Sequence, residues 1–421
     1  MDHFQYRDGE TFCEGVSLSK LADAVGTPAY VYSRTTLKKH LKRIKEAFSA
    51  YPTLPCFAVK ANSNLAILRD IFSEGFGADL VSGGEYQRSM NAGVVPDQIV
   101  FSGVGKKEEE IEMALKGGLL SFNVESAFEL ATIDRIAKSL AVKAPVCFRV
   151  NPNIDAKTNP KIATGLFSTK FGIVEAEVRD LAANLSEFEN VELVGVACHI
   201  GSQITDIRPM GEAADRMAHL AKDLLNEGHP LKFINMGGGL GIRYKDEPQP
   251  NVEEYADLLI NHIKPTGLQL IIEPGRVLVG NVGVLLNRVI GVKKTPQKSF
   301  AIVDGAMNDV LRPSLYDSYH EILPVNECKE GAQENYDVVG PICETGDYFG
   351  KDRKMPQLKA GDLIYLRGCG AYSASMASNY NSRPRSVEVL VDGNAFHVVK
   401  PRETLEDLWK NELIDIDGGQ G

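Results

Sequence analysis

A lysine closes an apolar run in Cys56-Phe57-Ala58-Val59-Lys60-Ala61-Asn62. Burying an ammonium is costly unless it is paired or loses its charge. Lys60 can therefore snorkel out of the strand end, or it can be a Schiff-base lysine, held rigidly with its amine in a pocket. A second run ends in Glu273-Pro274-Gly275-Arg276. A carboxylate there can keep a pyridine nitrogen protonated, the electron sink that carbanion chemistry at an amino acid needs; a plain Glu273–Arg276 ion pair is the alternative. Gly237-Gly238-Gly239-Leu240-Gly241 lets backbone N–H groups approach a phosphate closely. It misses the dinucleotide spacing, because Ile242 or Tyr244 stands where a third glycine is needed. His199 offers a flat imidazole to stack on a flat ring, and Ser202 could donate to a phosphate. Cys343 has the carboxylates Glu344 and Asp347 as neighbours in Cys343-Glu344-Thr345-Gly346-Asp347, which would raise its pKa and keep the thiol protonated as a donor. Arg312 with Tyr316, and Tyr372 in Gly370-Ala371-Tyr372-Ser373, could hold a carboxylate; each could equally be a surface residue.

These residues need elements to position them. Short apolar strands are expected at Cys56–Val59, Ala78–Val81, Ile99–Phe101, Leu119–Val124, Val146–Val150, Leu193–Cys198, Phe233–Met236 and Leu268–Ile272. Helical stretches separate them, so the strands should pair in parallel. Eight such units predict an α/β fold, a closed TIM-like (β/α)₈ barrel over 36–280, with a doubly wound open sheet as the runner-up. A barrel places its chemistry beyond the C-terminal strand ends, where Lys60, Asp79, Ser102, Asn123, Arg149, His199, Gly237 and Glu273 all fall. After Gly280 the pattern becomes strands and turns. Residues 281–421, joined by 1–35 with a strand near Tyr30, predict a β-rich second domain (a sandwich or barrel-like one). Pro401–Asn411 reads as a final short helix and Gly418-Gly419-Gln420-Gly421 as a frayed tail.

Composition narrows the function. Lys+Arg 46 against Asp+Glu 56 gives a net charge of −10, which argues against a general binder of nucleic acid or anionic membrane. No apolar run has the length of a membrane span, and Met1-Asp2-His3-Phe4 does not begin a signal peptide. Seven scattered cysteines (13, 56, 147, 198, 328, 343, 369) without a Cys-x-x-Cys pair predict reduced thiols in a cytoplasm and no metal site.

The stretches Phe57–Asn62, Ser82-Gly83-Gly84-Glu85, His199-Ile200-Gly201-Ser202-Gln203, Gly237–Gly239, Glu273–Arg276, Cys343–Asp347 and Gly370–Ser373 resemble, in order, those of the diaminopimelate decarboxylase family. That family belongs to the fold-type III, alanine-racemase-like enzymes dependent on pyridoxal 5'-phosphate. The resemblance runs from about Tyr6 to Leu405. It implies that Lys60 carries the cofactor, that His199 stacks on its ring, and that Asp79 belongs to the same site. Ser202, Gly237, Gly238 and Gly239 would hold the phosphate, helped by Tyr372 and the Glu273-Pro274-Gly275-Arg276 turn, with Glu273 on the ring nitrogen. Arg276, Arg312, Tyr316, Glu344 and Tyr372 would bind the amino-acid substrate, and Cys343 would return a proton after carbon dioxide leaves. Cys343 and Glu344 would come from the other subunit of a homodimer. The implied reaction converts meso-2,6-diaminopimelate to L-lysine. The alternative is a related decarboxylase of the same fold acting on ornithine, arginine or carboxylated polyamines; two distal arginines would have little to bind in ornithine. Other readings are a non-catalytic homologue and a phosphate-binding barrel without this cofactor. Thr345 departs from the serine expected there but keeps the hydroxyl.

Overall fold

A computed structural model describes residues 2–327 and 332–414 of the protein; Cys328 and the Gly418–Gly421 tail lie outside them. The chain divides into two compact units, Leu37–Gly280 and Met1–Thr36 with Asn281–Gly421.

The first unit is a parallel barrel. Its strands are β1 (Thr53–Ala58), β2 (Gly77–Leu80), β3 (Ile99–Phe101), β4 (Ser121–Val124), β5 (Ala144–Asn151), β6 (Val191–Ala197), β7 (Phe233–Asn235) and β8 (Gln269–Ile272). Each pairs in parallel with the next. Leu270, Ile271 and Ile272 of β8 pair with Thr53, Leu54 and Pro55 of β1. That closure removes both edges and excludes the open doubly wound sheet. Several crossover helices start on a cap just past a strand: Asn64 accepts from the Ala66 N–H, Ser82 from Glu85 and Ser126 from Glu129. A capped helix fixes where the strand's last residues point.

Side chains two apart on a strand share a face. Cys56, Val100, Cys147, Phe233 and Ile271 form one buried apolar cluster inside the barrel. One step further along the same faces stand Ser102, Arg149, Asn235 and Glu273, so the apolar filling is topped by a polar layer. Lys60 is not the last strand residue, as expected from sequence; β1 stops at Ala58 and Lys60 sits in a 3₁₀ turn, Val59–Ala61.

In the second unit the long strand Gly283–Lys294 pairs with Ala29–Ser33, Ser299–Val303 and Leu363–Leu366. Ala29–Ser33 also pairs in parallel with Val387–Asp392. The N-terminal segment is thus an inner strand of this β-rich unit. The sequence reading missed the strand Tyr348–Pro356, whose run of Lys351-Asp352-Arg353-Lys354 reads as a loop but lies on a strand paired on one side with Gln333–Val339. The helix expected at Pro401–Asn411 is only a 3₁₀ turn, Glu406–Leu408. Leu405 and Trp409 are exposed there, so no apolar face is buried to stabilise a helix. Among the described residues no helix is long and apolar enough to cross a membrane.

Gly195 on β6 makes room for the filling. A Cβ there would lie 2.5 Å from the Phe233 ring and 2.8 Å from its carbonyl oxygen. Gly195→Ala should destabilise the protein by about 1–3 kcal/mol, read as a lower urea midpoint with an unchanged slope.

Candidate active site

The polar layer surrounds a cavity of about 340 Å³, lined among others by Lys60, Ser102, Asn123, Arg149, His199 and Glu273. That volume suits a small ring-bearing molecule. Lys60 Nζ lies 2.8 Å from Asp79 Oδ2. Asp79 is fully buried, and its other oxygen accepts from Ser102 Oγ at 2.7 Å. Asn123 Nδ2 donates to that Ser102 Oγ at 2.9 Å, and Asn235 Nδ2 donates to Glu273 Oε1 at 2.6 Å. Burial, reinforced by the negative charge of Asp79, pushes the Glu273 carboxyl up to about 7, and Lys60 acts against that rise. Burial also pushes Glu85, whose Oε2 accepts from the Val81 N–H at 2.8 Å, up to about 6.

His199 Nδ1 accepts from the Gly238 N–H at 3.2 Å, so its ring proton, when neutral, is on Nε2. Burial, with Lys60 and Arg149 positive nearby, holds it well below the usual histidine value. The ring is therefore neutral and flat at physiological pH, as stacking requires.

The glycines are dictated by space. A Cβ on Gly238 would lie 2.0 Å from the Glu273 carbonyl oxygen, and one on Gly239 2.3 Å from that of Gly201. Gly237 and Gly239 also have φ of +63° and +113°. The Gly237 N–H donates to Asn235 Oδ1 at 2.8 Å and the Gly238 N–H to His199. Among the described residues none accepts from the Gly239 N–H. Arg276 is buried in the turn after Pro274-Gly275; its Nη1 donates to the Tyr244 hydroxyl at 2.8 Å and its Nη2 to Ser202 Oγ at 3.2 Å. Ser202 accepts that bond and so retains its own O–H to donate. Glu273 and Arg276 thus face different partners, and the plain ion pair between them is not formed.

An amine, a buried carboxylate, a neutral flat ring and a glycine turn with a hydroxyl and a guanidinium beside it fit pyridoxal phosphate group by group. Sequence reasoning placed Ser102, Asn123 and Arg149 at strand ends without giving them a role, and it did not select Asn235. The signal was present as period two, since each lies two residues beyond a residue facing the barrel interior. A further set supports them. Glu125 Oε1 accepts from Arg149 Nη1 at 2.7 Å and from the Gly103 N–H at 2.9 Å. The Glu125 N–H donates to Glu129 at 2.7 Å, and Glu129 pairs with Lys106 Nζ at 2.6 Å.

In the second unit, the short helix Arg312–Tyr316 and the Cys343–Gly346 loop are pinned together: Ser314 Oγ donates to the Gly346 carbonyl at 2.6 Å. Arg312 is buried and Tyr316 half-buried. Cys343 and Glu344 are exposed; the Cys343 N–H donates to Asn381 Oδ1 at 3.0 Å, and Glu344 Oε2 accepts from the Tyr380 hydroxyl at 2.9 Å. Tyr380 and Asn381 are partners that sequence reasoning missed. Asp347, read from sequence as a carboxylate flanking the thiol, instead turns inward: it is 3% exposed and accepts from the Met307 and Ile342 N–H groups. Tyr372 is half-buried with φ +55°, a left-handed conformation uncommon outside glycine.

Residues 34–280 match the family model described as "Pyridoxal-dependent decarboxylase, pyridoxal binding domain". The chain is 47% identical over 414 residues to a diaminopimelate decarboxylase of Pseudomonas aeruginosa, covering 98% of this chain and 99% of that one. Among solved structures, it is similar to the diaminopimelate decarboxylase of Helicobacter pylori complexed with L-lysine, with TM-score 0.90, 44% identity and coverage of 93% and 98%. It is also similar to that of M. jannaschii in complex with L-lysine, with TM-score 0.93, 39% identity and coverage of 98% of each chain.

The raised Glu273 carboxyl predicts a pH dependence for the cofactor-free protein. Its folded value lies above the unfolded one, so its contribution is full below about pH 4.5 and declines as pH rises through 7. The loss is at most about 3 kcal/mol. Urea unfolding from pH 5 to 8 should show a steeper decline for the native chain than for Glu273→Gln; parallel profiles would refute the assignment.

Proposed function

The chain belongs to the pyridoxal-dependent decarboxylases and, within them, to the diaminopimelate decarboxylases, and on that premise we propose how its residues divide the work. The activity is removal of carbon dioxide from the D-centre of meso-2,6-diaminopimelate to give L-lysine, the last step of lysine biosynthesis. The observation that carries the assignment of roles is the Lys60–Asp79 pair set in the same cavity as the buried Glu273 carboxyl.

Pyridoxal phosphate, when bound, supplies the electron sink that stabilises the carbanion left by decarboxylation. Lys60 would hold it through the side-chain amine, which Asp79 keeps in place at 2.8 Å. Glu273, fixed by Asn235, would accept a hydrogen bond from the protonated ring nitrogen. A positive ring nitrogen there would draw the Glu273 pKa down and keep the carboxylate ionised. His199, which lines the same cavity, would stack on the ring. The Gly239 N–H, the Ser202 hydroxyl and Arg276 would hold the phosphate, in the turn shaped by Gly237, Gly238, Pro274 and Gly275, with Tyr372 assisting.

The distal end of the substrate is an amino-acid centre of its own, with a carboxylate and an ammonium. Arg276, Arg312, Tyr316 and Tyr372 suit the carboxylate, and Glu344 the ammonium. Cys343 donates the proton that replaces carbon dioxide at the reacting carbon. Its exposure, with that of Glu344, supports a homodimer in which each copy supplies these two residues to the other's site. The six described cysteines are all free, which supports a cytoplasmic setting.

Lys60→Ala should lose both the visible absorbance of bound cofactor and release of carbon dioxide. Cys343→Ala should keep that absorbance while L-lysine formation falls at least about 100-fold. Mixing these two inactive variants should restore about a quarter of native activity if sites are shared across a dimer; no recovery after subunit exchange would reject sharing. Ornithine should release no carbon dioxide, and turnover of ornithine in place of diaminopimelate would overturn the substrate.

A further inference from the structure

His320 is fully buried in the second unit. Its Nε2 lies 2.9 Å from Arg312 Nη1, and its Nδ1 lies 2.8 Å from the Arg367 carbonyl oxygen. A guanidinium can only donate and a carbonyl can only accept. The imidazole is therefore neutral, with its proton on Nδ1, and it serves Arg312 as an acceptor. We infer that His320 is a positioning residue for substrate recognition: it holds the Arg312 guanidinium in the orientation that receives the carboxylate of the substrate's distal centre. This rests on the role proposed above for Arg312.

The clamp is built on rigid backbone. His320 sits two residues before the strand Ile322–Pro324, which pairs antiparallel with Leu363–Leu366. The Arg367 N–H donates to the Glu321 carbonyl at 2.9 Å, so both ends of the clamp belong to one ladder. Cys369 Sγ lies 3.7 Å from His320 Nδ1, and burial pushes that thiol up to about 12, so it stays uncharged. Arg312 Nη2 reaches Ser318 Oγ at 3.4 Å. The guanidinium is planar, so fixing one nitrogen fixes the direction of the whole fork, as two-point carboxylate recognition requires. A neutral acceptor orients the arginine without cancelling its charge. A carboxylate in place of His320 would orient it too, but would compete with the substrate.

The test uses the holoenzyme and two probes, L-lysine and 1,5-diaminopentane, which is L-lysine without its carboxylate. His320→Leu keeps bulk but removes the acceptor; His320→Gln keeps an acceptor at similar reach. His320→Leu should weaken L-lysine binding and raise KM for meso-diaminopimelate by roughly 10- to 100-fold. Binding of 1,5-diaminopentane should change less than about twofold, kcat should change less than KM, and His320→Gln should recover most of the loss. Unchanged L-lysine affinity in His320→Leu would overturn the inference, and so would equal losses for both probes, which mark a general packing defect. Arg312→Ala separates the two readings. If it spares L-lysine binding, the role of Arg312 fails; if it abolishes that binding while His320→Leu spares it, only the inference about His320 fails.

Discussion

Two carboxylates, Asp79 and Glu273, are buried at one barrel mouth, and the arrangement around them answers to that constraint. Charge buried without partners is among the most costly features a fold can carry. Asp79 is satisfied by Lys60 and Ser102, and Glu273 by Asn235. Asn123 touches the Ser102 of one set and lies 3.4 Å from the Glu273 of the other. Burial, with the negative charge of Asp79 nearby, raises the Glu273 pKa towards neutrality. The cationic ring nitrogen of a bound cofactor would supply the missing charge. On the proposed assignment, the cofactor would complete the electrostatics of the site as well as its chemistry.

The barrel makes such a layer possible at low cost in packing. Below it, cysteine, valine, phenylalanine and isoleucine fill the interior, and Gly195 gives way so that Phe233 can fit. Beside it, two buried ion pairs, Lys106–Glu129 and Arg149–Glu125, are joined by the Glu125 N–H, which donates to Glu129. Lys106 also donates to the Gly103 and Asn123 carbonyls. One lysine thereby ties the ends of β3 and β4 to the helix that follows β4. Strand ends held this way keep Ser102, Asn123 and Arg149 in place around the cavity without help from a ligand.

The second unit solves a different problem, presenting polar groups on short segments. The helix Arg312–Tyr316 has just five residues and cannot be stable alone. Ser314 fastens it to the Gly346 carbonyl, the Tyr348 hydroxyl reaches the Pro313 carbonyl at 3.3 Å, and His320 fastens Arg312 to the sheet. Asp347 anchors the loop from within, which leaves Cys343 and Glu344 to project outward.

The sequence by itself determined the alternating strands and helices, because an apolar run bounded by turn residues needs only local information. It also carried the motif residues Lys60, His199, Gly237–Gly239, Glu273 and Cys343, whose types are unusual where they stand. Tertiary structure alone decided which polar residues join them. Asn235 looks like an ordinary strand residue until β7 and β8 lie side by side, and then its amide meets Glu273. Asp347 looks like a neighbour of Cys343 until the loop folds back on the Met307 and Ile342 N–H groups. Whether Arg312 is a loose surface arginine or a clamped one depends on His320 and on Arg367, far apart in the chain and brought together by one strand pairing. Strand periodicity is a short-range property of the backbone, whereas hydrogen-bond partnership between buried side chains depends on which strands become neighbours.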